Sequence, residues 1–140
     1  MSSRASERLV VCDTDVVSYF FTQSPRADFF RLNLIGKSLA VSFVTIAQMY
    51  HGAYHARWGT NRIAMLKEYL NLYSTLPYDY EVCLKWAEVK HQGEQGGNTI
   101  EDGDCWVAAC ALMYNCPLAT NNVRHFRHIA GLDLISPDLT

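Results

Sequence analysis

Residues 9–15 read Leu9-Val10-Val11-Cys12-Asp13-Thr14-Asp15, four apolar side chains in unbroken succession that stop at a carboxylate. A half-exposed strand would alternate apolar and polar positions, so this run matches a strand of a parallel sheet covered by helices on both faces. Asp13 then stands at the strand's C-terminal tip, the edge of an open α/β sheet at which ligands bind. Outward from this stretch, Ser38-Leu39-Ala40-Val41-Ser42 has the same character, and helical signals fill much of the interval, giving a βαβ arrangement. Beyond Thr45, the positions Ile46, Met49, Tyr50, Ala53 and Tyr54 recur at the spacing of an amphipathic helix. Ile63, Leu66, Leu70 and Tyr73 mark the next helix. A short apolar piece around Leu76-Pro77-Tyr78 leads to a helix with Val82, Trp86 and Val89, followed by a Gly-rich loop from Gly93 to Asn98. From Trp106 to Met113 the chain is apolar on nearly every face, which predicts a central buried helix opening at Asp102-Gly103-Asp104. Pro117-Leu118-Ala119-Thr120 reads as a strand, Val123 to Arg127 as a helical turn and Leu134-Ile135 as a last strand. The expected fold is a three-layer α/β/α domain over residues 9–137 with a short, mostly parallel central sheet. An N-terminal extension (1–8) and a C-terminal tail (138–140) flank it.

With 140 residues, 49% of them hydrophobic and 19% charged, the chain supports one packed domain and is not a disordered tail. Twelve Lys and Arg against fourteen Asp and Glu leave a net charge of −2, so no global field draws it to nucleic acid. Any such contact needs a local patch, for which Arg57, Arg62, Lys85, Lys90, Arg124 and Arg127 are candidates. The five cysteines form no C-x-x-C pair and sit in apolar runs, which predicts free buried thiols and a reducing cytoplasm. No apolar stretch reaches membrane-spanning length, so a soluble, unexported protein is expected. The absence of a Gly-rich phosphate loop after a strand argues against a generic α/β small-molecule binder.

Asp13, Gln48, Asp104, Asn121, Asn122 and His125 all fall beside predicted strand carboxyl ends. An oxygen-rich cluster of this type suits Mg²⁺ or Mn²⁺, which can activate water against a phosphodiester. Each residue also has a purely structural reading. Asp13 or Asp15 would cap a helix, Thr45-Ile46-Ala47-Gln48 matches a capping box, and Asn122 would cap a turn. Asp102 and Asp104 suit a helix N-terminus, but Asp104 shares a face with Val107, Ala108 and Ala111 and is thereby pulled toward the interior. His51 and His55 stand at a metal-compatible i, i+4 spacing that a solvated face explains equally well. Trp58, Trp86 and Tyr19-Phe20-Phe21 suit core or a dimer surface.

Five motifs in order carry a resemblance. They are Asp13-Thr14-Asp15-Val16; Ser42-x-x-Thr45-Ile46-Ala47-Gln48-x-Tyr50-x-Gly52; Ile100-x-x-x-Asp104-x-x-Val107-Ala108-Ala109; Thr120-x-Asn122-x-x-His125-Phe126; and Gly131-Leu132. Over residues 9–137 the chain resembles the PIN-domain ribonucleases, specifically the VapC-type toxins of bacterial toxin–antitoxin pairs. The resemblance implies four clustered acids holding Mg²⁺ or Mn²⁺, endoribonuclease activity on structured RNA, a homodimer, and inhibition by a cognate antitoxin. It assigns Asp13 and Asp104 as metal ligands and Thr14 and Asn122 as polar neighbours. Gln48 stands where the family has glutamate, and His125 where it has an acid. These departures imply attenuated activity and a preference for Mn²⁺, with Asp102 as a further ligand and Asp15 as another source of charge. The alternative is a catalytically silent PIN domain that binds RNA or an antitoxin.

Overall fold

In the computed structural model, which describes residues 9–139, five strands lie side by side in one sheet, all parallel. The expected extension 1–8 lies outside the described residues. In chain order the strands are β1 (Leu9–Cys12), β2 (Ser38–Ser42), β3 (Ser74–Leu76), β4 (Leu118–Ala119) and β5 (Leu134–Ile135), and their spatial order is β3-β2-β1-β4-β5. The sheet expected to be mostly parallel is parallel throughout.

The unbroken run at β1 is explained by what lies on either side of it. Val11 joins Ala40 and Leu118 in one core, while Val10 and Cys12 join Val41 and Ala119 in the other. Each strand thus alternates between two dry faces and needs no polar side. Helices α1 (Thr14–Phe21), α2 (Ala27–Asn33), α3 (Phe43–His55) and α4 (Thr60–Leu70) supply Val16, Val17, Phe30, Met49, Leu66 and Leu70 to the second core. The first core is covered by α5 (Tyr80–Gln95) and by α6 (Asp102–Met113), whose Cys105 and Val107 to Ala111 are all buried. A one-turn helix, α7 (Val123–Phe126), follows β4 and buries Phe126.

The chain builds outward from β1 through β2 to β3, then returns to lay β4 on the other flank of β1. That reversal is a topological switch point, and it leaves a crevice beyond the carboxyl ends of β1 and β4.

Two sequence expectations are corrected here. Helix α3 begins at Phe43, because the Ser42 hydroxyl caps it by accepting from the Val44 amide at 3.2 Å. Thr45 is therefore already inside the helix and fully buried, and Thr45 to Gln48 is not a capping box. The Gly-rich loop starts later than expected, since α5 runs through Gly93. A Cβ there would come within 2.9 Å of the Asn98 carbonyl, so this glycine lets the returning chain cross close to the helix. The apolar piece around Leu76, given no element from sequence, closes the edge strand β3 at Leu76; Pro77 has no amide hydrogen with which to extend the ladder. As expected, all five cysteines are free, four of them buried. Among the described residues no helix is long and apolar enough to cross a membrane.

Ser42→Ala is expected to lower stability by about 1 kcal/mol in urea titrations, the usual cost of losing a cap. Gln48→Ala should change it by less than about 0.5 kcal/mol, as for a surface position; the reverse ranking would restore the capping-box assignment.

Candidate active site

The register Cys12↔Ala119 brings the residues after both strands out side by side, and the Asp13 amide donates to the Ala119 carbonyl at 2.9 Å. Asp13 is only 6% exposed, and both of its oxygens are held. Oδ1 accepts from the Thr14 amide at 2.8 Å, capping α1, and Oδ2 accepts from the fully buried Thr120 hydroxyl at 2.8 Å. These bonds favour the anion, but burial opposes it more strongly, and Asp15 and Asp104 add repulsion; the carboxyl is pushed up to about 7.

Asp15 faces the same crevice. Its Oδ1 accepts from the Val16 amide at 2.7 Å, and its Oδ2 from the Asn121 amide at 3.0 Å and from Asn122 Nδ2 at 3.2 Å. Burial, with Asp104 contributing, raises its pKa too. Asn122 makes no side-chain cap to α7; its amide goes to Asp15 instead, so the turn-cap reading is corrected. Thr14 extends the network toward α3, donating to Gln48 Oε1 at 2.5 Å and lying 3.0 Å from the Thr45 hydroxyl. A Cβ on Gly103 would sit 3.1 Å from Gln48 Nε2, so the glycine allows the first turn of α6 to close on Gln48.

On that turn, Asp104 Oδ2 meets His125 Nδ1 at 2.9 Å, with Asp104 the more buried partner. Burial raises the Asp104 pKa, His125 lowers it, and Glu101 raises it. Asp102, expected among the metal ligands, turns the other way. Its carboxylate is 76% exposed and pairs with Lys90 Nζ at 3.1 Å, while Lys90 also donates to the Ile100 carbonyl. His51 and His55 lie on an exposed face of α3, ring centroids 6.4 Å apart, toward the end of the helix remote from the crevice.

The structure thus brings together Asp13, Thr14, Gln48, Asp104, Asn122 and His125 and leaves out Asp102. Reasoning from sequence gave no role to Thr120 or Glu101, and it read Thr45 as a helix cap, not as a neighbour of Thr14. Thr120 was findable, since it follows a strand neighbouring β1 and opens one of the quoted motifs.

Among the described residues, no group of three or more His, Cys, Asp or Glu side chains has metal-ligating geometry. The chemistry nevertheless fits a hard divalent cation, because Mg²⁺ is commonly held by one or two carboxylates with water completing the shell. Among the described residues Asp104 Oδ1 makes no hydrogen bond, and each Asp13 oxygen makes one and keeps a lone pair; a cation would offset the cost of ionising Asp13, Asp15 and Asp104, whose pKa values are raised chiefly by burial.

With the folded-state pKa of Asp13 above its ordinary value of 3.8, ionising it costs stability. The cost is absent below about pH 4, grows as pH rises, and is complete above about pH 7. Asp13→Asn, in metal-free buffer, should therefore become more stabilising relative to the parent between pH 5 and pH 8. A flat or opposite difference in urea midpoints would contradict the raised pKa.

The PIN domain family profile matches residues 10–132. A VapC2 ribonuclease of Haemophilus influenzae is 27% identical over 120 residues, covering 86% of this chain and 91% of that protein. A VapC1 ribonuclease of the same species is 29% identical over 126 residues, covering 89% and 94%. In overall shape the chain is similar to a chain in the crystal structure of VapBC2 from Rickettsia felis bound to a promoter DNA fragment. The TM-score is 0.82 at 22% identity, over 93% of this chain and 99% of that one. The profile match runs from within β1 to beyond α7 and takes in both walls of the crevice, and on that extent the chain belongs to the PIN domain family.

Proposed function

We propose that this protein is a VapC-type endoribonuclease toxin that hydrolyses structured RNA with the aid of Mg²⁺ or Mn²⁺ and is restrained by a cognate antitoxin. The observation that carries this reading is Asp13: a nearly buried carboxylate at a switch point, its pKa raised to about 7 with Asp15 and Asp104 both contributing. Such concentrated negative charge is costly unless a cation joins it. The ribonuclease names of the relatives point the same way.

In this reading Asp13 and Asp104 hold the ion. Bound there, it supplies an acidified water as nucleophile and offsets charge on the phosphodiester. Thr14 and Thr120 fix both Asp13 oxygens, so the carboxylate cannot rotate away. Asp104 orients the His125 ring through Nδ1, and no hydrogen bond among the described residues engages Nε2. Asp15 braces the loop after β4 through Asn121 and Asn122.

Gln48 and His125 reduce the negative charge of this centre, so the ion is held more weakly than by four acids and Mn²⁺, which accepts imidazole, is preferred. An antitoxin Arg or Lys set against Asp13 and Asp104 would satisfy the same carboxylates and block the ion. The protein acts as a homodimer, for which Tyr54, 64% exposed, and its neighbours offer aromatic surface. The second reading is RNA or antitoxin binding without cleavage. It is favoured by the Thr14 to Gln48 bond and the Asp104 to His125 pair, which occupy oxygens that an ion would seek.

The test is cleavage of a labelled RNA hairpin with Mn²⁺, Mg²⁺ or EDTA. Cleavage should require metal, run faster with Mn²⁺, and be lost together with metal binding in Asp104→Asn, which removes a ligand of the ion. Since protons compete for Asp13, metal affinity should weaken as pH falls below about 7. Gln48→Glu and His125→Asp should each raise cleavage, and together exceed either alone. The His125→Asp protein should also be less stable in EDTA and recover with Mn²⁺, because it sets a second acid against Asp104. Cleavage insensitive to EDTA would overturn metal dependence, and no cleavage by parent or double variant would leave the silent-domain reading.

A further inference from the structure

A protein of net charge −2 that binds RNA must concentrate cations where the RNA lies. The structure sorts the six candidates. Lys85 is paired with Glu88 at 3.2 Å and Lys90 with Asp102 at 3.1 Å. The Arg62 guanidinium lies over the Trp58 ring at 4.0 Å from its centroid. Arg57 follows the far end of α3, a helix of 13 residues that starts at the crevice edge, and so stands about 20 Å away.

Arg124 and Arg127 differ from these. Neither pairs with a carboxylate among the described residues, and both are exposed. They line a cavity of about 460 Å³ together with Asn121, Asn122, Val123 and His125, with Asp138 also on its wall. An adjoining cavity of about 150 Å³ is lined by Arg124 and His125 with Asp104, Glu101, Thr99 and Ile100. Arg124 thus stands between the Asp104 centre and the larger space, and Arg127 lies three residues further, on the same face of the turn. Arg127 Nε donates to His128 Nε2 at 3.4 Å, and its two terminal amines make no hydrogen bond among the described residues.

We propose that Arg124 and Arg127 form a backbone-phosphate subsite that holds RNA phosphates beyond the scissile one, on the β4 side of the crevice. The proposal rests on the ribonuclease reading above for the identity of its ligand. A protein segment fits less well, since Val123 is the one apolar residue on the wall of the larger cavity, and peptide docking relies on apolar anchors. A volume of about 460 Å³ is of the size that holds a nucleotide, and the Asn121 and Asn122 side chains line it with further polar groups. Asp138 opposes phosphate, which predicts that its removal tightens binding.

The experiment measures binding of a fluorescein-labelled RNA hairpin by anisotropy in EDTA, across a salt series, so that cleavage plays no part. Arg124→Ala and Arg127→Ala should each weaken binding and lower the slope of log affinity against log salt by roughly 0.7 to 0.9, one phosphate contact apiece. Lysine at either position should restore most of the slope, Asp138→Asn should strengthen binding, and Arg57→Ala should change neither quantity. Under turnover with Mn²⁺, the alanine variants should raise KM with kcat retained, the pattern of lost uniform binding. An unchanged slope in the double alanine variant, an equal loss in Arg57→Ala, or competition by poly-glutamate as effective as by unlabelled RNA would each overturn the subsite. Absence of cleavage would count against the ribonuclease reading alone, since the salt slopes are measured without it.

Discussion

The hydrogen bond from the buried Thr120 hydroxyl to Asp13 joins the two strand tips on which the crevice is built. A carboxylate at the end of a strand covered on both faces has little access to water, so it is tolerated only where donors are supplied locally. Here the backbone at the start of α1 supplies one and β4 the other. The backbone ladder between β1 and β4 sets the register on which this bond depends, and it places Asn121, Asn122 and the turn that carries His125 beside Asp13. From the opposite side, Gly103 admits the first turn of α6, which brings Asp104 to meet His125. The site is therefore a set of short contacts anchored on one uncomfortable carboxylate.

Much of this architecture was legible because parallel strands with two dry faces leave unbroken apolar runs, and β1 and β2 are such runs. β3 was not read as a strand because Ser74 and Thr75 are exposed on an edge strand and carry no apolar signal; only its last residue, Leu76, falls in the apolar piece seen in the sequence. The start of α3 was misplaced for a different reason. Ser42 and Thr45 are both capping residues three apart, and the choice between them depends on where β2 ends, which its pairing of Ser42 with Leu76 determines. Propensity alone has no access to that pairing.

The candidate site divides along similar lines. Asp102 and Asp104 are both acids in the first turn of α6, but positions two apart point about 200° away from each other around a helix. Apolar neighbours marked Asp104 as the inward one; the outward course of Asp102 toward Lys90 depends on the neighbouring helix α5. Thr120 acts on a partner 107 residues away, so its place after a strand was legible but its bond to Asp13 was not, whereas Glu101 acts on Asp104 from three residues before it.

The distance along the chain between the partners has a consequence for biosynthesis. Asp13 and Thr120 are 107 residues apart, and Asp104 and His125 both belong to the last third of the chain. Closing so long a loop is among the slower events in folding, because its entropy must be met before any contact rewards it. On a ribosome, which releases the N-terminal end first, β1, β2 and their helices emerge without the strand that completes the crevice. Until β4 and α7 have been made, the nascent polypeptide has Asp13 but nothing to hold its second oxygen and no opposite wall. Whatever chemistry the finished centre performs is therefore withheld from the translating chain, and arrives only with the closing residues of the sheet.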